Sequence, residues 1–234
     1  MTMLAPHTAA GAGLWSLLAR RSRGGAPRRL PKGALLYGPG QRDAGLYVVS
    51  EGWVKVTTAT RDGRTCLLEI HARGDVLGES CLVTGVRQAT AVAMTPTVVT
   101  RIPRAVFLET ITDNEAYEES LRYLVARLAE QQARITQLVT ADSGRRLAAT
   151  LVQLSRKLGS GEERRRRIEQ RITQEELAQL VGATRSRVAH FLREFRNTGL
   201  VHAAPRGTLI VDEPGLHAYA EGDRWSSGRP LSPG

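Results

Sequence analysis

The sequence predicts an α+β protein: an N-terminal β-roll, one long helix, and a C-terminal winged helix-turn-helix. Three observations carry that prediction. Between residues 30 and 103 nine glycines, from Gly33 to Gly85, punctuate short apolar runs, the rhythm of a small barrel or roll. From Leu121 to Leu138 the apolar residues switch to heptad spacing. From Ile172 to Leu200 the chain reads ITQEELAQLVGATRSRVAHFLREFRNTGL, two short amphipathic helices about a glycine turn.

The N-terminal 1–29 is rich in Ala, Gly and Arg and reads as a flexible basic arm. The roll is expected over 30–112. Leu46–Val49, Trp53–Val56, Cys66–Ile70 and Val98–Ile102 read as strands, with Val54 and Val56, and again Leu68 and Ile70, alternating at period two. Asp62-Gly63 is a hairpin-turn signal.

Residues 113–141 read as a dimerisation helix. Leu121, Leu124, Leu128, Gln131, Ile135 and Leu138 form its seam. Such a seam pairs with a second copy or packs on its own domain, and Gln131, its polar member, would set register or await a ligand.

The DNA-binding unit is expected over 142–213. Asp142 or Ser143 would cap its first helix, Gly144 would permit a hinge, and Leu147, Leu151, Leu154 and Leu158 make an apolar stripe. Residues 159–167 read as a polar, charged loop. In the hairpin, Thr173 and Glu176 have capping-box spacing, Leu177, Leu180 and Val181 share a face, and Gly182 ends the helix. Thr184 caps the next helix, Val188, Phe191, Leu192 and Phe195 are its buried stripe, and Gly199 ends it. Arg185, Ser186, Arg187, Ala189 and His190 are left facing outward. Cations are disfavoured at a helix start, so arginines there point to an external anion or a base edge. Two short strands, 200–203 and 208–211, flank a turn that carries Arg206, making a wing. Residues 214–234 read as a flexible tail.

Charge supports this division. Of the formal +10, residues 1–32 carry +6, 33–144 carry −2, 145–206 carry +8 and 207–234 carry −2. A basic segment beside a mildly acidic one suggests a polyanion-binding domain joined to something else. Two cysteines, Cys66 and Cys81, are too few for a disulfide scaffold. No apolar run approaches the ~20 residues of a membrane span, and 14–18 is too short for a signal peptide. The expectation is a cytoplasmic, nucleoid-associated protein with no membrane partner. No P-loop, nucleophile elbow or metal-ligand cluster argues for an enzyme.

Over about residues 30–213 this order resembles the Crp/Fnr family of bacterial transcription regulators. The resemblance is sharpest at Gly78-Glu79 with Arg87-Gln88-Ala89, similar to the family's phosphate-binding cassette, and at TQEELAQLVGATRSRV. It implies a cyclic-nucleotide-binding-like roll. Glu79 would accept a hydrogen bond from a ribose 2′-hydroxyl, and Arg87 would pair with the cyclic phosphate. Gly78 and the amides of Glu79 and Ser80 would present backbone donors. Gln88 stands where the family usually has Ser or Thr, and the interval from Glu79 to Arg87 is shorter than usual. Gln131 and Gln132 stand where cyclic-AMP binders present Thr and Ser to adenine. The effector stays open among cyclic AMP or another cyclic nucleotide, some other small molecule, and none. No metal, haem or iron–sulfur cluster is expected.

The resemblance also implies a homodimer on a palindromic double-stranded DNA site, with RNA polymerase as a further partner. In the recognition helix Arg185 is kept, while Ser186 and His190 replace the family's Glu and second Arg. Arg185 and Arg187 are candidates for guanine or phosphate, and Gln174 and Thr184 for phosphates.

Overall fold

The computed structural model describes residues 18, 26–61, 63, 65–162 and 164–222. It divides into two units, 1–133 and 134–234.

The first unit is a roll of two four-stranded antiparallel sheets. One runs β1 (Arg28–Leu30), β8 (Thr97–Ile102), β3 (Leu46–Glu51), β6 (Val76–Leu77); the other runs β2 (Leu35–Tyr37), β7 (Thr90–Ala93), β4 (Val54–Ala59), β5 (Thr65–His71). Their inner faces share a core that includes Leu36, Tyr37, Tyr47, Val49, Val54, Leu77 and Val99. Gly52, at φ +78°, turns β3 into β4, and a Cβ there would collide with the carbonyl of Pro96, so only glycine serves.

Three expectations change in this unit. Leu68 does not share a face with Ile70. The register slips so that Thr57 faces Leu67 and Val56 faces Glu69. The bulge leaves Leu68 as the extra residue, 41% exposed, while Leu67 and Ile70 are buried. The basic arm does not run to residue 29, because Arg28–Leu30 pair with Val99–Thr97. Within the arm Leu18 is buried beside Leu46, Val48, Val76, Ile102 and Tyr123, where removing its apolar surface from water is favourable; the rest of 1–25 lies outside the described residues. So does Asp62 of the expected hairpin turn, while Gly63 sits at φ +77°.

The helices α1 (Cys81–Thr84), between β6 and β7, and α2 (Arg104–Thr110) and α3 (Asn114–Thr140), after β8, belong to this part of the chain. Asp113 begins α3 by accepting from the Glu115 amide at 3.0 Å. Its face toward the roll carries Ala116, Ser120, Tyr123 and Ala126, and the Tyr123 hydroxyl donates to the Val76 carbonyl at 3.0 Å.

The second unit holds α4 (Ser143–Leu158), β9 (Gly159–Glu162), β10 (Arg165–Ile168), α5 (Gln174–Val181), α6 (Arg185–Asn197), β11 (Val201–Ala204), a tight turn over Pro205–Gly207, β12 (Thr208–Asp212) and α7 (Glu213–Glu221). The strands form one antiparallel sheet in the order β11-β12-β10-β9. Leu147, Leu151, Leu154 and Leu158 are all buried.

Here too the structure corrects the reading. Residues 159–168 are a hairpin rather than a loop. β10 carries three arginines before Ile168 and has no apolar alternation to betray it; its pairing with β12, Arg165 opposite Asp212 through Ile168 opposite Leu209, makes it a strand. The tail beginning at 214 is a helix as far as residue 221. The Asp212 side chain caps it at the Gly215 amide, Leu216 is fully buried, and Tyr219 meets the Phe195 ring edge-on at 5.0 Å. Gly144 lies within the first turn of α4, which Asp142 caps at the amides of Gly144 and Arg145. A Cβ at Gly144 would stand 2.7 Å from the Phe191 ring, so glycine is required there for close packing, not for hinging. In α5, Ala178 is buried with Leu177 and Val181 while Leu180 is half-buried, and in α6 Phe191 is half-buried.

Candidate DNA interface and effector cassette

The helical hairpin is held by local chemistry. The Thr173 hydroxyl accepts from the Glu176 amide at 3.1 Å, and the Glu176 carboxylate accepts from the Thr173 amide at 2.9 Å. Gly182 takes φ +67° and turns the chain. The Thr184 hydroxyl accepts from the Arg187 amide at 3.3 Å and lies 3.0 Å from the Ser186 hydroxyl. α6 buries Val188, Leu192 and Phe195 and exposes Arg185, Ser186, Arg187 and His190, with Ala189 half-buried.

Not every exposed arginine is equally available. Arg187 Nε donates to the Ser143 hydroxyl at 3.0 Å, tying it to the start of α4. Arg185 lines a groove of about 440 Å³ together with Arg171, Thr173, Gln174, Arg196 and Gly207, over Leu177, Leu192 and Leu209. Among the described residues none of Arg171, Arg185 and Arg196 has an ion-pair partner. By contrast, Arg156 and Arg166 are both spent on Glu213. Arg171 lies across the wing turn, where a Cβ on Gly207 would meet its Cδ at 3.1 Å. Arg206 is exposed at the tip with φ +61°. Arg171 and Arg196 were missed in the sequence. Arg196 was findable, because it lies about three helical turns beyond Arg185 and so on the same face; Arg171 sits outside any helix and carries no such signal.

In the roll, Gly78 and Arg87 come together. Gly78 is at φ +92°, and a Cβ there would collide with Arg87 Nη1. The Arg87 guanidinium is buried, donates from Nη1 to the Gly78 carbonyl at 3.2 Å, and pairs through Nη2 with Asp43 Oδ2 at 2.7 Å. Its Cζ stacks 4.4 Å from the Tyr37 ring centre and 5.1 Å from that of Tyr47. Asp43 also accepts from Arg101 at 2.6 Å, the Gly45 amide at 2.9 Å and the Tyr47 hydroxyl at 3.1 Å. Burial pushes the Asp43 carboxyl up, but the hydrogen bonds from Arg101, Arg87 and the Gly45 amide together outweigh it and hold it well below the usual carboxylate range.

Glu79 accepts from Arg127 of α3 at 3.0 Å, and Arg127 also binds buried Glu69. Ser80, Gln88, Gln131 and Gln132 are exposed. Asp43, Arg101 and Arg127 were all missed. Asp43 is 44 residues from Arg87 and Arg127 is 48 from Glu79, and no local pattern links them. An anionic ligand fits this donor set in its chemistry: Arg87 Nε is buried without a hydrogen-bond partner among the described residues. Among the described residues no group of three or more His, Cys, Asp or Glu is placed to hold a metal ion, and no helix is long and apolar enough to cross a membrane.

A roll with a buried arginine at a glycine turn, followed by a winged helix-turn-helix with arginines that have no ion-pair partner among the described residues, is the architecture of a two-part DNA-binding regulator. Known proteins agree. Residues 27–114 match the cyclic nucleotide-binding domain and residues 145–219 the Crp-like helix-turn-helix domain. The chain is 32% identical over 192 residues, 81% of its length and 86% of the relative's, to a CRP-like cAMP-activated global transcriptional regulator of Mycobacterium tuberculosis. It is 26% identical to the fumarate and nitrate reduction regulatory protein of Escherichia coli, over 79% of this chain and 73% of that one. A CRP/FNR-family transcriptional regulator from Thermus thermophilus superposes with a TM-score of 0.69 at 27% identity, covering 87% of this chain and 100% of the other. This chain belongs to the Crp/Fnr family of transcription regulators.

Proposed function

We propose that the chain acts as a homodimer that binds a palindromic double-stranded DNA site, and that a cyclic nucleotide in the roll gates this binding. The observation that carries the DNA reading is the groove where Arg171, Arg185 and Arg196 stand without ion-pair partners among the described residues. Arg185 would read a guanine edge or a phosphate, with Arg187 beside it limited by its bond to Ser143. Gln174, Thr184 and Arg206 would hold backbone phosphates. Ser186 and His190 stand where the family's usual base-reading pair would be, so the site read differs from that pair's.

Dimerisation is supported by the exposed stripe of Leu121, Leu124, Leu128, Ile135 and Leu138 on α3, with Gln131 in register. Pairing two copies along it would set recognition helices ~34 Å apart, one DNA turn. A dimer so bound would meet RNA polymerase in the cytoplasm, at the nucleoid.

The gated reading rests on the free Nε of Arg87. Gly78, Glu79, Ser80 and Arg87 would hold ribose and phosphate, and Gln88, Gln131 and Gln132 would face the base. A second reading, a regulator that binds DNA without any ligand, is favoured by the carboxylate of Asp43 already on Arg87.

The test is a genome-wide footprint of the bound chain with and without added cyclic AMP. Palindromic sites with half-sites one turn apart support the dimer; scattered contacts without a shared sequence would refute it. Sites unchanged by nucleotide would favour the second reading.

A further inference from the structure

Arg87 brings its own anion. Its side chain is fully buried, and the Asp43 carboxylate 2.7 Å away is itself only 18% exposed. Asp43 is anchored from four sides: by Arg87, by Arg101, by the Gly45 amide and by the Tyr47 hydroxyl. It is therefore not a side chain that drifts out of the way.

We infer that Asp43 is an internal competitor for the phosphate of an incoming nucleotide, and that Arg101 sets how strongly it competes. This rests on the gated reading above. A ligand phosphate at Arg87 would share one guanidinium with a carboxylate. Two anions on one cation repel, and the repulsion is little screened where Arg87 and the Tyr37 and Tyr47 rings against it are buried. Asp43 does not use every donor of the guanidinium, since among the described residues Arg87 Nε has no acceptor. Asp43 thus weakens a ligand without closing the site to it. Arg101, about half exposed, neutralises the other oxygen of Asp43 at 2.6 Å. Without Arg101, Asp43 would press its whole charge on Arg87 and on any phosphate beside it.

A purely structural Asp43, present only to make a buried arginine tolerable, predicts a different outcome. Its loss would destabilise the protein and leave ligand affinity alone.

The test uses the full chain as wild type, Asp43→Asn and Arg101→Gln, with cyclic AMP and cyclic GMP as calorimetric probes and thermal unfolding alongside. Asp43→Asn is expected to bind at least one of the two about tenfold more tightly than wild type, and Arg101→Gln more weakly. Asp43→Asn is also expected to unfold at lower temperature alone and to recover more of its Tm with nucleotide than wild type gains. Affinities for wild type and Asp43→Asn equal within about twofold would overturn the inference and leave the gated reading standing. No binding by any folded variant would overturn both. If Asp43→Asn does not fold, Arg101→Gln decides: an affinity equal to or above that of wild type overturns the inference.

Discussion

Arg185 and Arg187 are two positions apart on one helix, yet the structure treats them differently. Arg187 is bonded to Ser143 at 3.0 Å, while Arg185 faces the groove with Arg171 and Arg196. A base contact and a phosphate contact should therefore separate experimentally. Arg185→Ala is expected to cost about 1–3 kcal/mol of specific binding and to relax one base position, and Arg196→Ala to weaken all sequences alike and lower the salt slope by about 1. Binding measured against a degenerate site library at several salt concentrations checks both. An unchanged sequence preference in Arg185→Ala would reassign that residue to the backbone. The outward face of α6 was legible in the sequence because 3.6-residue periodicity sorts faces by itself. That Arg187 is tethered was not legible, because Ser143 is 44 residues away.

At the scale of elements, α3 and α5 show what local spacing can do. The heptad positions of α3 are the exposed ones, with Leu128 60% and Ile135 61% exposed, while Ala116, Ser120, Tyr123 and Ala126 are buried. One helix thus has two apolar faces, and under the proposed dimer a second copy would cover the exposed one. Leu128→Asp is expected to yield a monomer by sedimentation with the fold retained; a variant that still sediments as a dimer would place the interface elsewhere. The capping box of α5 was readable from Thr173 and Glu176 alone. Removing it with Thr173→Ala should lower unfolding stability of this unit by about 1 kcal/mol, read by urea denaturation. β9, β10 and α7 were not readable. Their sequences become ordered through pairing of β10 with β12 and of β9 with β10, through the bonds of Arg156 and Arg166 to Glu213, and through buried Leu216 and the edge-on contact of Tyr219 with Phe195.

At the scale of the molecule, the charges around Arg87 also govern stability. Asp43 is held below its ordinary pKa in the folded state. Its stabilising contribution is therefore fully present above the unfolded carboxylate value of about 4 and is lost as pH falls from there toward the folded value. Thermal unfolding from pH 6 to pH 2 should show wild type losing stability below about pH 4 more steeply than Asp43→Asn. Parallel curves would mean that Asp43 carries no such linkage.

The sequence by itself determined the order of the parts: roll, heptad helix, winged helix-turn-helix. Glycines at turns, capping residues and apolar periods act over a few positions, and each states its element without help. Gly78, Glu79 and Arg87 were grouped as one cassette by resemblance to a family, not by local spacing. Only the tertiary structure decided who else stands at that cassette. Asp43 reaches Arg87 from 44 residues away and Arg127 reaches Glu79 from 48. Such pairs leave no trace in local spacing, because charge acts through space and the folded backbone alone sets the distance.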